Sequence, residues 1–232
     1  MKRLKRLTSI LLVLGMVLGL MPLSAFAAEP AKKSFTKFTE EVNGNTYTYM
    51  PLDDSTVELT GFEPKATATD AVIPARAKGY SVTSIRDSAF IGCTALKSVQ
   101  FKAPIESIGD GAFLECPELD EVELPASIIS IGTAAFLGCA KWETVKLGNS
   151  VVSIGENAFA LCTNLKSVTI PSSVQTIGEN AFHFGLGGEN KQLVELHYTG
   201  TQEQWDKLAK ENDFKNKIPC CINRRTLIAP IL

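Results

Sequence analysis

Histidine is almost missing from this chain: His183 and His197 are the only two in 232 residues. No Cys-x-x-Cys pair occurs, and neither His stands at ligand spacing from a cysteine, so a zinc site is a poor reading. There is no Gly-x-Ser-x-Gly elbow and no phosphate loop, which removes two common catalytic frames. An excess of positive charge is absent as well. Lys and Arg total 23 against 25 Asp and Glu, so no basic footprint points to nucleic acid. Beyond the N-terminus no run of 18 apolar residues appears, so nothing there is expected to span a membrane. These absences leave little for catalysis, cofactors or metals to stand on, and none is expected.

The N-terminus is the one charged and then apolar stretch. Lys2, Arg3, Lys5 and Arg6 precede an apolar run from Leu7 to about Leu23, followed by Ala25-Phe26-Ala27. That order of regions reads as a secretory signal peptide over residues 1–27. Its removal takes four bases and no acids, leaving 19 bases against 25 acids, a formal charge of −6. No Cys stands directly after the apolar run, where a lipid anchor would need it, and no Leu-Pro-x-Thr-Gly sequence lies near the C-terminus. The expectation is a secreted chain, extracellular or held at the cell surface, with no membrane insertion after cleavage.

What the chain has in abundance is repetition. Phe90, Phe113, Phe136, Phe159 and Phe182 are each 23 residues apart. Ile85, Ile108, Ile131, Ile154 and Ile177 keep that interval, as do Ala89, Ala112, Ala135, Ala158 and Ala181. Cys93, Cys116, Cys139 and Cys162 form a further column. Leu96, Leu119, Trp142 and Leu165 form another, with Val99, Val122, Val145 and Val168 three residues on. The unit reads Ile-Gly-x-x-Ala-Phe-x-x-Cys-x-x-Leu-x-x-Val-x-Leu/Ile-Pro-x-Ser. Its apolar positions fit neither a continuous helix nor a long strand. They fit a coil that turns corners and sends one side chain inward at each.

One such unit cannot bury its own apolar face, but stacked units can. Glu121 to Leu124 alternates with period two and reads as a short strand. Pairing of such strands about 4.8 Å apart gives five units a core roughly 20–25 Å long. Asp110-Gly111-Ala112-Phe113 reads as a short helical turn. Gly109, Gly132, Gly155 and Gly178 are expected to supply a backbone angle that other residues avoid. Pro104, Pro125 and Pro171 follow the strands, where no ladder donor is needed.

The ends break the period. Asn45 to Tyr49 and Thr56 to Thr60 alternate around Pro51-Leu52-Asp53-Asp54-Ser55, a β-hairpin pattern suited to covering the first edge. Val72-Ile73-Pro74 matches the strand end of a repeat. Downstream, Gly185 to Asn190 lengthens the fifth unit, and a strand resumes at Leu193 to Tyr198. Gln202 to Asn212 reads as an amphipathic helix carrying Trp205 and Leu208, closing the second edge. The domain plan is therefore residues 1–27 as signal peptide and 28–81 as N-terminal extension and hairpin cap. Residues 82–200 hold five repeats, and 201–232 a helical cap and tail.

The repeat resembles the BspA-like leucine-rich repeats of secreted and surface proteins from anaerobic bacteria. Gly44 to Tyr49 and Tyr198 to Trp205 look like that family's usual ends. The resemblance implies an α/β repeat solenoid of short parallel strands, and a role in adhesion or binding; Lys217 to Leu232 departs from the pattern. Fold alone does not fix function.

The Cys column is read as reduced, buried thiols packing as small hydrophobes. Cys220 and Cys221 are adjacent and could pair with another chain or stay free. His183 takes a variable position after Phe182 with a packing or rim role. Candidate ligand contacts are the outward strand positions. One column is Ser98, Glu121, Thr144, Ser167 and Glu195; the other is Gln100, Glu123, Lys146, Thr169 and His197. They vary while the inward columns do not, as on an extended solenoid binding face. No aromatic anchor stands among them. Ser84, Ser107, Ser130, Ser153 and Thr176 read as a structural hydroxyl ladder at a corner. The expected partner is an extracellular protein or glycan, with a monomeric, non-enzymatic chain. A structural spacer of the cell envelope and an extracellular hydrolase are the alternatives.

Overall fold

A computed structural model describes residues 35–183 and 195–211, all within the unit that begins at Phe35. The expected signal peptide over residues 1–27, Gly185 to Asn190, the adjacent Cys220 and Cys221, and the tail from Lys217 lie outside the described residues. The strands are β1 Phe38–Val42, β2 Asn45–Pro51, β3 Thr56–Glu63, β4 Asp70–Ile73, β5 Arg76–Ala77, β6 Tyr80–Ile85, β7 Ser98–Phe101 and β8 Ser107–Ile108. They continue as β9 Glu121–Val122, β10 Ser130–Ile131, β11 Thr144–Lys146, β12 Ser153–Ile154, β13 Ser167–Ile170, β14 Thr176–Ile177 and β15 Glu195–Tyr198. One helix among the described residues, α1, spans Gln202–Glu211.

The repeats wind a β-solenoid of about five turns, rich in strand and poor in helix. Each coil meets its neighbours along three lines. The first is the Ser-Ile corner. There β6, β8, β10, β12 and β14 pair in parallel, and every Ile faces inward. The serine column expected as a corner ladder therefore rides on the most continuous sheet in the molecule, nine strands including β1 to β3.

The second line is the turn that carries Ala and Phe. The helical turn expected at Asp110 to Phe113 is not a helix. It is a string of tight turns whose amides donate to the next coil: Phe90 N to Ala112 O at 2.8 Å, Phe113 N to Ala135 O at 2.7 Å, Phe136 N to Ala158 O at 2.8 Å. A helix would spend those amides internally. Left-handed residues in two columns prevent it: Ser88, Gly111, Ala134, Asn157 and Asn180, then Gly92, Glu115, Gly138 and Leu161, all with φ between 53° and 80°.

The reason given for the other glycine column is overturned. Gly109, Gly132, Gly155 and Gly178 are not left-handed. They are glycine because coils stack there backbone on backbone. A Cβ on Gly132 would lie 2.6 Å from Gly109 C and 2.7 Å from Asp110 N, and neither backbone atom can give way. The third line is the outward strand of each coil, described with the candidate site.

The core follows from the columns. Phe90, Phe113, Phe136, Phe159 and Phe182 stack with centroids 4.7–5.4 Å apart and planes within 12°. Aromatic pairs at such spacing add about 0.5–1.5 kcal/mol each beyond burial. Trp142, in the leucine column, sits edge-on to Phe136 at 5.1 Å and is buried. All four described cysteines are free and buried. The thiols of Cys116, Cys139 and Cys162 donate to Phe90 O, Phe113 O and Phe136 O at 3.3–3.4 Å. Burial pushes Cys139 up and Cys162 up to about 12. Cys116 rises through its hydrogen bond to Cys93 and its burial. Thiols held protonated in an apolar core are inert. The serine that ends the unit ties coil to coil. The Ser127 and Ser173 hydroxyls donate to Ile105 O and Val151 O of the preceding coil, at 2.8 and 2.7 Å.

At the N-terminal end the hairpin has three strands, because β1 pairs antiparallel with β2 through an Asn43-Gly44 turn with both φ positive. β3 then runs parallel to β6 and joins the corner sheet. Phe62 continues the phenylalanine stack at 4.8 Å from Phe90, and Arg86 Nε meets Glu58 at 2.6 Å. At the other end Thr201 and Gln204 bond reciprocally at the start of α1, a capping box. Trp205 and Leu208 of α1 are buried, with Trp205 5.3 Å from Tyr198.

Candidate functional site

The outward strand face consists of two separate three-stranded sheets, β4-β7-β9 and β11-β13-β15. Where the ladders run, the expected column residues are in register. Ser98 faces Glu121; Thr144 faces Ser167, which faces Glu195; Lys146 faces Thr169, which faces His197. Gln100, Glu123, Thr144 and Lys146 are exposed, while Ser98, Ser167, Thr169 and His197 are half-buried. Glu121 and Glu195 are placed by their backbones in β9 and β15. The expectation that all five strands pair in series is corrected by the structure. Glu121 and Thr144 have no ladder between them, and Gln100 pairs with Val72 and not with Glu123.

The interruption falls where the leucine column carries Trp142. An indole needs more room than a leucine side chain, and it sits two residues before β11. β9 is also short, so past Val99 and Val122 the strands β7 and β9 part. A cavity of about 810 Å³ opens there, lined by Ser98 to Lys102 and by Val122 to Ala126. A second, of about 570 Å³, lies across the break among Asp120, Val122, Lys141 to Thr144, and Asn164. Val122 lines both.

Charges beside the face form pairs from coil to coil. Lys141 Nζ meets Glu118 and Lys166 Nζ meets Glu143, each at 2.6 Å. Both pairs are well exposed, a setting in which ion pairs add little stability. Sequence reasoning missed Asp70. Its carboxylate accepts the Ser98 hydroxyl at 2.6 Å and the Thr69 hydroxyl at 2.7 Å, which hold it below the usual carboxylate range. It extends the Ser98 column by one strand, but stands 28 residues from Ser98 and so falls out of the 23-residue frame. The outer edge of β4 is met by side chains of β2: Asn45 Nδ2 donates to Asp70 O, and Val72 N donates to Tyr47 Oη, both at 2.9 Å.

Among the described residues no group of three His, Cys, Asp or Glu could hold a metal ion, and no helix is long and apolar enough to cross a membrane. His183 is exposed at the turn edge, where its carbonyl accepts Leu161 N. His197 lies on β15, far along the face from the interruption.

These features define a leucine-rich repeat solenoid. The model of the BspA type leucine-rich repeat region matches residues 67–185 in six copies, just over half of the chain, so the protein belongs to that family. The match starts before the first full 23-residue unit and takes in β4. The chain is similar to a leucine-rich repeat protein of T. pallidum, at 28% identity and TM-score 0.59, over 65% of this chain and 68% of that one. It is also similar to a leucine-rich repeat protein of Bacteroides ovatus, at 28% identity and TM-score 0.56, over 65% of this chain and 45% of that one. The chain thus spans under half the length of the second. No curated protein matches it.

Proposed function

We propose that this protein is a secreted interaction module that binds an extracellular protein or glycan through its strand face, as an adhesin toward host or neighbouring cells. One observation carries the reading. Polar side chains of differing size and charge stand in register within each half of the face, over inward columns that stay apolar, with Trp142 replacing leucine once. Core packing explains the inward residues and places no demand on the outward ones. Repeat scaffolds of this family generally serve as interaction modules, and binding suits a face of varied polar side chains. Residues 1–27 direct export. β1 to β3 cap one end, supported by the backbone pairing of β3 with β6 and by Asn45 and Tyr47 on β4. α1 caps the other through Trp205 and Leu208. The capped chain works as a monomer.

The test is binding of purified residues 28–232 to an array of matrix proteins, mucin and glycans. Replacing Glu121, Glu123 and Lys146 together should abolish a selective, saturable hit. A blank array from folded protein would reject recognition and support a structural spacer.

A further inference from the structure

We propose that Cys93 and Cys116 are a thiol–disulfide pair, and that oxidation by a small disulfide latches the first coil to the second. The latch lies in the core beside the N-terminal cap and is separate from the strand face.

The two residues hold one column in successive coils. The turns just before them are bound backbone to backbone, through Phe90 N to Ala112 O and Gly92 N to Leu114 O, both at 2.8 Å. Coils joined in this way lie about 4.8 Å apart. Cysteines with Cα atoms about 4.4–6.8 Å apart can be bridged. Every neighbouring pair in the column meets that condition. What distinguishes Cys93 and Cys116 is that their side chains share a hydrogen bond. Cys93 also opens the column, so the chain before it belongs to the cap. There β4 leads β7 by 28 residues, with Asp70 opposite Ser98. The same offset carries Cys93 back to Lys65, whose ammonium acts on its charge.

These neighbours divide the roles. The hydrogen bond with Cys116 holds the Cys93 thiol below its usual range against the opposing effect of burial, and Lys65 helps. Cys116 is raised through the same bond and keeps the proton. Cys139 and Cys162 are both raised by burial, so neither supplies a thiolate. All four side chains are fully enclosed, so reaction needs a local opening. The segment from Pro64 to Thr69, between β3 and β4, is the place for it. Pro64, Thr67 and Thr69 are exposed and line a cavity of about 420 Å³ with Asn43, Asn45 and Asp70.

Cys93 attacks one sulfur of the small disulfide, forms a mixed disulfide and expels one thiolate. Cys116 then gives up its proton and attacks the Cys93 sulfur, expelling the second. Two protein thiols become one disulfide, two electrons pass to the oxidant, and two small thiols leave with the two protons. The bridge closes the chain around β7 and β8. On the strand face these two coils are tied by two residue pairs, Ser98 with Glu121 and Val99 with Val122. A covalent tie behind that short ladder constrains the unfolded chain and stabilises the fold. Export, as proposed above, would bring the pair to such oxidants.

The test incubates purified residues 28–232, which include every described residue, with hydroxyethyl disulfide, a neutral probe, without denaturant. Free thiols are then blocked, and disulfides are mapped by peptide mass after cleavage at Lys, Arg and Glu. A Cys93–Cys116 bridge should form first. In Cys116→Ser the mixed disulfide should collect on Cys93. In Cys93→Ser, Cys116 should take up the probe roughly tenfold more slowly. Cys93→Ala and Cys116→Ala repeat both readings without a buried hydroxyl. Oxidation should raise the thermal midpoint of the unsubstituted chain and leave that of Cys93→Ser unchanged, a comparison that cancels any reaction at Cys220 and Cys221. Bridging only in denaturant would overturn the pair. So would a Cys139–Cys162 bridge formed as fast, or equal uptake of the probe at Cys93 and Cys116. A bridge without a rise in midpoint would overturn the latch.

Discussion

The corner side of the solenoid and its strand face are built from the same repeats, yet one is continuous and the other is broken. At the corner, Ser-Ile pairs carry one ladder from β6 to β14 and on through β3 into β1. The glycine column beside it lets backbones touch, and the Phe turns add a second set of coil-to-coil bonds. On the strand face the ladder stops between β9 and β11. Stability in a stacked array comes from neighbour interfaces. Two unbroken lines therefore suffice to hold each coil, and the third is free to open. A solenoid can host an irregular, partly apolar cleft on one side because the other side does not need that side's hydrogen bonds.

The sharpest way to break this comparison is to attack the continuous part. Phe136→Ala should cost about 3–5 kcal/mol, because the ring is fully buried between Phe113 and Phe159. Urea unfolding would show it, and a loss near that of an exposed substitution would mean the stack is not the main support.

High pH comes next. An unfolded thiol ionises near pH ~8.5. Folded Cys162 is pushed up to about 12 and Cys139 also upward, both by burial. The unfolded chain thus releases its protons first. The contribution is whole below about pH 8.5 and is lost as pH climbs toward 12. Denaturation midpoints should fall across that window, and Cys162→Ala should flatten the fall; an unchanged slope would remove the thiols from the account.

Trp142→Leu sharpens the comparison from the other side. It restores the residue found at that position in the other coils and costs roughly 1–3 kcal/mol for the smaller side chain. If the indole holds the face open, amide exchange at Thr144 to Lys146 should slow as β9 and β11 pair. Unaltered exchange would mean the break has another cause.

The smallest effect is a gain. Leu161 is exposed and left-handed at φ 58°. Gly138, one coil earlier, meets the same demand without a Cβ, so Leu161→Gly should stabilise by about 1 kcal/mol in thermal unfolding.

Much of the fold was legible in the residues alone. The Phe, Ile, Ala, Cys and Val columns announced a stacked coil, since no other arrangement buries them all. The ten outward positions were chosen from strand alternation, and the pairs of Ser98 with Glu121, of Thr144, Ser167 and Glu195, and of Lys146, Thr169 and His197 keep the expected register, while Gln100 and Glu123 do not pair. Other features were not legible. Asp70 is displaced from the repeat by the extra turn at Arg76 to Gly79. Phe62 continues the aromatic stack from an antiparallel strand that lies outside the period. The constancy of Gly132 looked like a demand on φ, but only the stacked neighbour reveals that the demand is for space.

Periodicity alone decided that this chain winds a solenoid, which side chains enter its core, and which positions face out. An apolar column repeated at one interval has no other low-energy partner than its own copy in the next coil. The tertiary structure decided where the coils touch and where they part. Beside the break, Trp142 packs its indole against Phe136 and Phe159, and a spacing rule contains no volumes.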